Sequence, residues 1–130
     1  MTPIQLELPF PPSVNHYWRN FGRTVLSKEA VKFRNTARAM IVSQLAAATP
    51  KPRKITWPVA VSMRVHPPDR RRRDLDNMAK AILDALTCGG VWADDRLAHE
   101  LHLVWGELTR GGKAIIRIAE LGELGAGHEA

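Results

Sequence analysis

Val59, Val61, Met63 and Val65 alternate with Ala60, Ser62, Arg64 and His66, and the run stops at Pro67-Pro68. A period of two reads as a strand with one face toward a core. The two prolines lack the N–H groups that a longer ladder would need. Beyond them Asp74 can cap a helix running to about Leu86, with Gly89 and Gly90 as its stop. Leu97 to Trp105 reads as strand or helix, and the alternation of Leu101, Leu103 and Trp105 favours strand. With helices between strands, one crossover helix could join parallel strands somewhere in the chain.

The flanks complete the layout. Ile4, Leu6 and Leu8 alternate with Gln5 and Glu7 in a strand ending at Pro9. Pro11 to Arg19 reads as an ordered loop. Ser27 can cap a helix with Glu29 in its first turn, where a carboxylate favours the dipole. Ala30, Phe33, Ala37, Met40, Ile41, Gln44, Leu45 and Ala48 follow mostly helical spacing, Lys28, Lys32, Arg34 and Arg38 decorate the other side, and Thr49-Pro50-Lys51-Pro52 ends the helix. Thr109 to Lys113 reads as a hairpin-like turn into a last strand, Ala114 to Leu121. The reading is therefore a single α+β domain over residues 1–121, with two main helices and a mixed or mainly antiparallel sheet. The Gly-rich stretch 122–130 is expected to fray. A chain of 130 residues is enough for one core.

The lone cysteine, Cys88, has no internal disulfide partner, and no apolar run approaches the roughly 20 residues that cross a bilayer. The expected compartment is the cytosol. Formal net charge is +6, and residues 1–119 carry 19 basic against 10 acidic side chains. That balance suits a polyanion, nucleic acid before an acidic membrane surface.

Every aspartate lies between positions 69 and 95: Asp69, Asp74, Asp76, Asp84, Asp94 and Asp95. Arg70, Arg71, Arg72 and Arg73 run directly into Asp74. With Asp74 at the N-cap and Asp76 in the first turn, the two carboxylates can converge at the helix start. Asp76, Lys80 and Asp84 recur every four residues, opposite Leu75, Met78, Ile82 and Ala85. Asp94 and Asp95 follow the glycine break, which can fold them back beside the helix. Carboxylates gathered in a basic setting describe a Mg²⁺ site for phosphodiester chemistry, because Mg²⁺ takes oxygen ligands, waters and substrate phosphate. A lysine one turn away can steady charge on phosphorus, and arginines offset the repulsion between acids and DNA.

The same residues also serve a purely structural account. Asp74 as a cap, Asp76 at the dipole, an Asp76–Lys80 ion pair and a solvated arginine loop describe a non-catalytic basic DNA-binding module. Other constellations are weaker. His66, His99 and His102 lack zinc-ligand spacing, the serines sit in no nucleophile elbow, and no glycine-rich phosphate loop occurs. Tyr17, Trp18 and Phe21, among Arg19 and Arg23, suit either stacking on unpaired bases or covering a core.

Asp69-Arg70-Arg71-Arg72-Arg73-Asp74-Leu75-Asp76-Asn77, then Lys80, Asp84-Ala85-Leu86-Thr87 and Trp92-Ala93-Asp94-Asp95, closely resembles the RusA family of Holliday-junction resolvases. Leu8 to Asn15 and Thr109 to Lys113 match it in kind and order, so the likeness runs from about Ile4 to Leu121. It implies a small homodimeric endonuclease that makes paired, symmetric, Mg²⁺-dependent incisions in four-way DNA junctions. By position, the family's essential acids fall on Asp74, Asp76 and Asp95 and its lysine on Lys80, with Asp94 ranked below Asp95. Arg70 to Arg73, chiefly Arg71 to Arg73, and Asn15 would hold the DNA. A twofold dimer would present two identical sites to a junction of approximate twofold symmetry. Nucleases for other branched or flapped DNA remain an alternative within the same chemistry.

Overall fold

The computed structural model describes residues 1–13, 18–20 and 24–124. In chain order the elements are β1 (Ile4–Leu8), β2 (Trp18–Asn20), β3 (Thr24–Leu26), α1 (Lys28–Ala47), β4 (Val59–His66), α2 (Ala79–Cys88), β5 (Ala98–Trp105) and β6 (Lys113–Ala119). Two short 3-10 turns, Leu75–Met78 and Asp95–Leu97, precede α2 and β5. The fold is α+β, with a mixed sheet in the order β1-β6-β4-β5 and both helices packed on one face.

Side-chain pattern explains the elements. Ser27 caps α1, its hydroxyl accepting from the Ala30 N–H at 3.1 Å. Ala30, Phe33, Ala37 and Ile41 carry the buried stripe of α1, and Ala81, Ile82, Ala85 and Leu86 that of α2. Both meet Val59, Val61, Met63 and Val65 of β4, all fully buried. Edge strand β1 is secured at Glu7, whose N–H donates to Gln44 Oε1 (2.8 Å) and whose carbonyl accepts from Gln44 Nε2 (2.7 Å). The α1 side chain thus stands in for a missing neighbour strand.

Four expectations are corrected. The turn at 109–113 does not close a hairpin, because β5 pairs parallel with β4 while β6 lies antiparallel between β1 and β4. Burial sets that order. Ala114, Ile116, Ile118 and Ala119 of β6 are fully buried and need cover on both sides, whereas β5 leaves Leu101 46% exposed and tolerates an edge. The seven residues 106–112 between them exceed a tight hairpin loop and can cross over β4. Second, the proline-rich segment is not loop throughout, since Trp18–Asn20 and Thr24–Leu26 pair antiparallel. Third, α2 begins at Ala79; Asp74 sits at the N-cap of the preceding 3-10 turn and makes no side-chain cap bond. Fourth, the stretch expected to fray from 122 keeps Leu124 buried against Ala60 and Ala119 on the other sheet face, while residues 125–130 lie outside the described residues.

The glycines that end α2 act separately. Gly90 has φ +83°, a conformation open to glycine, and nothing lies within 4 Å of where a Cβ would stand. Gly89 is where α2 touches α1, a Cβ there falling 2.8–2.9 Å from three atoms of Ile41. Gly89→Ala is expected to lower unfolding stability by about 1–3 kcal/mol through overpacking. Chemical denaturation checks it, with Ile41→Val in the same chain recovering part of the loss.

Candidate active site

Sheet topology decides which loops meet. β1 and β4 both run antiparallel to β6, and β5 runs parallel to β4, so the C-terminal ends of β1, β4 and β5 lie at one end of the sheet. Three connections collect there: residues 9–13, 67–74 and 106–112. The Thr109 N–H donates to the Pro67 carbonyl at 2.9 Å. Gly112, at φ +69°, sits so close to Phe10 and Pro68 that a Cβ would come within 2.7 Å and 3.1 Å of them.

The arginine run lies in this cluster, and its members are not equivalent. Asp69 Oδ1 accepts from the Arg71 backbone N–H at 2.9 Å and pairs with Arg73 Nη2 at 2.9 Å. Chiefly through that N–H, the Asp69 carboxyl is held below its ordinary value, with Arg73 and Arg71 adding to the effect. Arg73 also donates to the Asp69 and Arg71 carbonyls and stacks over Phe10, 5.0 Å from the ring centroid, leaving its side chain 17% exposed. Arg73 therefore ties the loop to the N-terminal segment. Arg70, Arg71 and Arg72 are exposed, the Arg71 side chain by 83%. Arg71 to Arg73 and Asp74 line a cavity of about 750 Å³, together with Lys32 and Phe33 of α1.

A second concavity, about 930 Å³, lies on the other flank of α1. Lys80, Asp84 and Cys88 of α2 form one wall, Asp94 and Asp95 another, and Arg34 of α1 a third, with Val25 and Leu26 of β3 beside them. Trp92 makes this possible. It is fully buried, its indole N–H donates to Thr87 Oγ1 at 2.8 Å, and it bridges to Ile55 beneath β4. The chain after the glycine break is thereby pinned to α2, which places Asp94 and Asp95 against the helix.

The two acids then diverge in role. Asp94 caps the following 3-10 turn by accepting from the Arg96 N–H at 2.9 Å, and lies 3.6 Å from Arg96 Nε. Asp95 is half-buried and makes no side-chain bond or ion pair among the described residues. Lys80 pairs with Asp84 at 3.3 Å, so the i,i+4 partner is not Asp76. The 3-10 turn explains this, since its three residues per turn move Asp76 off the α-helical row.

The concavity thus brings Lys80 and Asp95 together but leaves Asp74 in the arginine-lined cavity and Asp76 on an exposed turn. The crossover accounts for the separation. Asp74 and Asp76 precede α2 at the end of β4, while Asp95 precedes β5 at the opposite end of the sheet. Among the described residues no three His, Cys, Asp or Glu side chains stand close enough to hold a metal ion. Donor chemistry nevertheless fits Mg²⁺. Asp74, Asp76 and Asp95 are carboxylates with no partner among the described residues, and one or two carboxylates suffice when phosphate and water complete the shell. Asn15, Tyr17 and Phe21 lie outside the described residues. No described helix is long and apolar enough to cross a membrane.

Trp92 and Thr87, quoted only as part of the motif, and Arg34 received no role of their own from sequence reasoning. Trp92 and Thr87 carry no charge to draw notice, and only a large apolar residue two positions before an acid pair hints at an anchor. Arg34 reads as surface decoration, although four residues from Ala30 place it only about 40° around the helix from a buried position.

Residues 9–119 match the family described as Endodeoxyribonuclease RusA. Curated relatives named "Crossover junction endodeoxyribonuclease RusA" share 40% identity over 124 residues in an Escherichia coli protein, covering 95% of this chain and 99% of the relative. A phage 82 protein of that name is 41% identical, with 94% and 98% covered, and one from Shigella sonnei is 38% identical, with 94% and 98% covered. With the central motif inside the matched region and the match spanning nearly the whole of both chains, this chain belongs to the RusA endodeoxyribonuclease family.

Proposed function

We propose that the chain is a Mg²⁺-dependent, structure-selective DNA endonuclease that resolves four-way junctions by paired symmetric incisions, working as a homodimer in the cytosol. The relatives' shared name, crossover junction endodeoxyribonuclease, supports the substrate class. The observation that supports the reading is Asp95, which has no partner among the described residues and lies beside Lys80 in one concavity, while neighbouring Asp94 is consumed by its cap. Asp95 would hold Mg²⁺ beside Lys80, and Asp74 and Asp76, at the other end of the sheet, would offer carboxylates to the ion there, with DNA phosphate and water filling the remaining positions. When bound, the ion supplies an activated water and stabilises developing charge on the phosphate oxygens.

The chain's own residues do the rest. Exposed Arg70, Arg71 and Arg72, with Asn15, grip the backbone. Arg73 keeps their loop in place through Asp69 and Phe10. Lys80 is 46% exposed and paired, among the described residues, with Asp84 alone, so an arriving phosphate can compete for its ammonium. Hydrolysis then adds water to phosphorus and breaks one P–O ester bond.

Incubating four-way, flapped and linear DNAs with and without Mg²⁺ tests the reading. Symmetric nicks confined to the junction and dependent on Mg²⁺ are expected. No metal-dependent cutting of any substrate would instead support the non-catalytic module. Preferential cutting of flaps would move the chain to other branched DNA.

Within this account Asp95→Asn abolishes cutting yet keeps or strengthens junction binding, because one negative charge facing the DNA is lost. Asp94→Asn retains cutting, since an amide oxygen can still accept from the Arg96 N–H. Nicking and gel-shift assays on the pair check both, and equal losses would contradict the assignment. Arg71→Ala and Arg72→Ala should each reduce the slope of log affinity against log salt by about 0.9, the loss of one phosphate contact. Arg73→Ala should mainly lower the melting temperature, because it removes the ties to Asp69 and Phe10.

A further inference from the structure

We propose that Arg34 is a phosphate-binding residue of the reaction site, contacting the DNA backbone inside the concavity that holds Lys80 and Asp95; the inference rests on the nuclease reading above. Its Nε is buried with no hydrogen-bond partner among the described residues. Arg34 lines a hollow that also contains Asp84, Asp94 and Asp95, yet no carboxylate of the described residues lies within ion-pair distance of its guanidinium.

That combination is unusual. A buried arginine N–H without an acceptor destabilises the fold, and nearby carboxylates are the ordinary remedy. Here each is accounted for otherwise. Asp84 lies against Lys80, Asp94 caps the 3-10 turn against Arg96, and Asp95 has no partner among the described residues. The hollow is thus left with one carboxylate for a cation and one guanidinium for an anion. A phosphodiester supplies the missing acceptors, since a guanidinium presents a planar fork of donors that matches two phosphate oxygens. Val25, Leu26 and Val31 on the rim limit water, which strengthens a charge-assisted bond at that position. The neighbours of Arg34 on α1 differ from it: Lys28, Lys32 and Arg38 are exposed.

The test uses the full chain with Arg34→Gln, Arg34→Lys and, as a control on the uncovered sheet face, Arg64→Gln. Junction affinity is measured without Mg²⁺ across a salt series, and nicking with Mg²⁺. Arg34→Gln should reduce the salt slope by about 0.9 and slow cutting at saturating DNA at least about tenfold. Arg34→Lys should recover the slope but only part of the rate, because an ammonium keeps the charge and loses the fork. Arg64→Gln should leave both unchanged.

If Arg34→Gln lowers the melting temperature while the salt slope stays at the wild-type value, the residue is structural and the inference is overturned. Should Arg34→Gln fail to fold, Arg34→Lys decides: wild-type cutting by that variant contradicts recognition by the fork. A wild-type protein that cuts no DNA would defeat the nuclease reading. The slope of Arg34→Gln would then still report whether the concavity binds phosphate.

Discussion

β4 is paired along both edges, parallel to β5 on one side and antiparallel to β6 on the other, and the candidate site depends on that arrangement. Its four inward residues are fully buried beneath both helices, so neither ladder can slip without exposing them. Parallel pairing with β5 requires a crossover, which α2 provides. That crossover in turn fixes Lys80, Asp84 and Cys88 along one flank and returns Asp94 and Asp95 to the same helix. Antiparallel pairing with β6 brings the 109–113 turn down onto Phe10 and Pro68, closing the arginine loop against the N-terminal segment.

Charge is sorted within this frame. Arg73, the most buried of the four arginines, is neutralised by Asp69 and covered by Phe10, while Arg70 to Arg72 remain in water, where phosphate can replace their solvation. Among the acids, Asp69, Asp84 and Asp94 each meet a basic neighbour or a backbone N–H. Asp74, Asp76 and Asp95 do not among the described residues. A fold seeking only stability would be expected to pair or replace such groups; surplus carboxylates beside surplus arginines suit a site completed by a cation and a phosphate chain.

Much of this was legible in residue order. Period-two alternation located β1 and β4, Ser27 marked the start of α1, and Gly89-Gly90 marked the end of α2, because each rests on local geometry that tertiary packing reinforces. Strand order was not legible, since the turn residues at 109–113 report only a reversal, while the choice of neighbour follows from which strand must be covered on both sides. The 3-10 turn at Leu75–Met78 defeated the four-residue spacing that joins Asp76 to Lys80 on paper. Separation of Asp74 and Asp76 from Asp95 follows from the crossover, a long-range consequence that no motif spacing contains. Arg34 was hidden for the opposite reason: its position on the helix wheel borders the buried stripe, but a charged residue is habitually assigned to the solvent side.

Cys88 offers the most direct probe of whether DNA enters the concavity beside α2. It is the only cysteine in the chain, it is exposed, and it lines that hollow together with Asp84 and Asp95. Its alkylation rate should be measured on the full protein without Mg²⁺, with four-way junction DNA and with linear duplex of the same length. Strong protection by the junction and weaker protection by the duplex is the predicted result. An alkylation rate unchanged by saturating junction would place the DNA elsewhere and contradict the account.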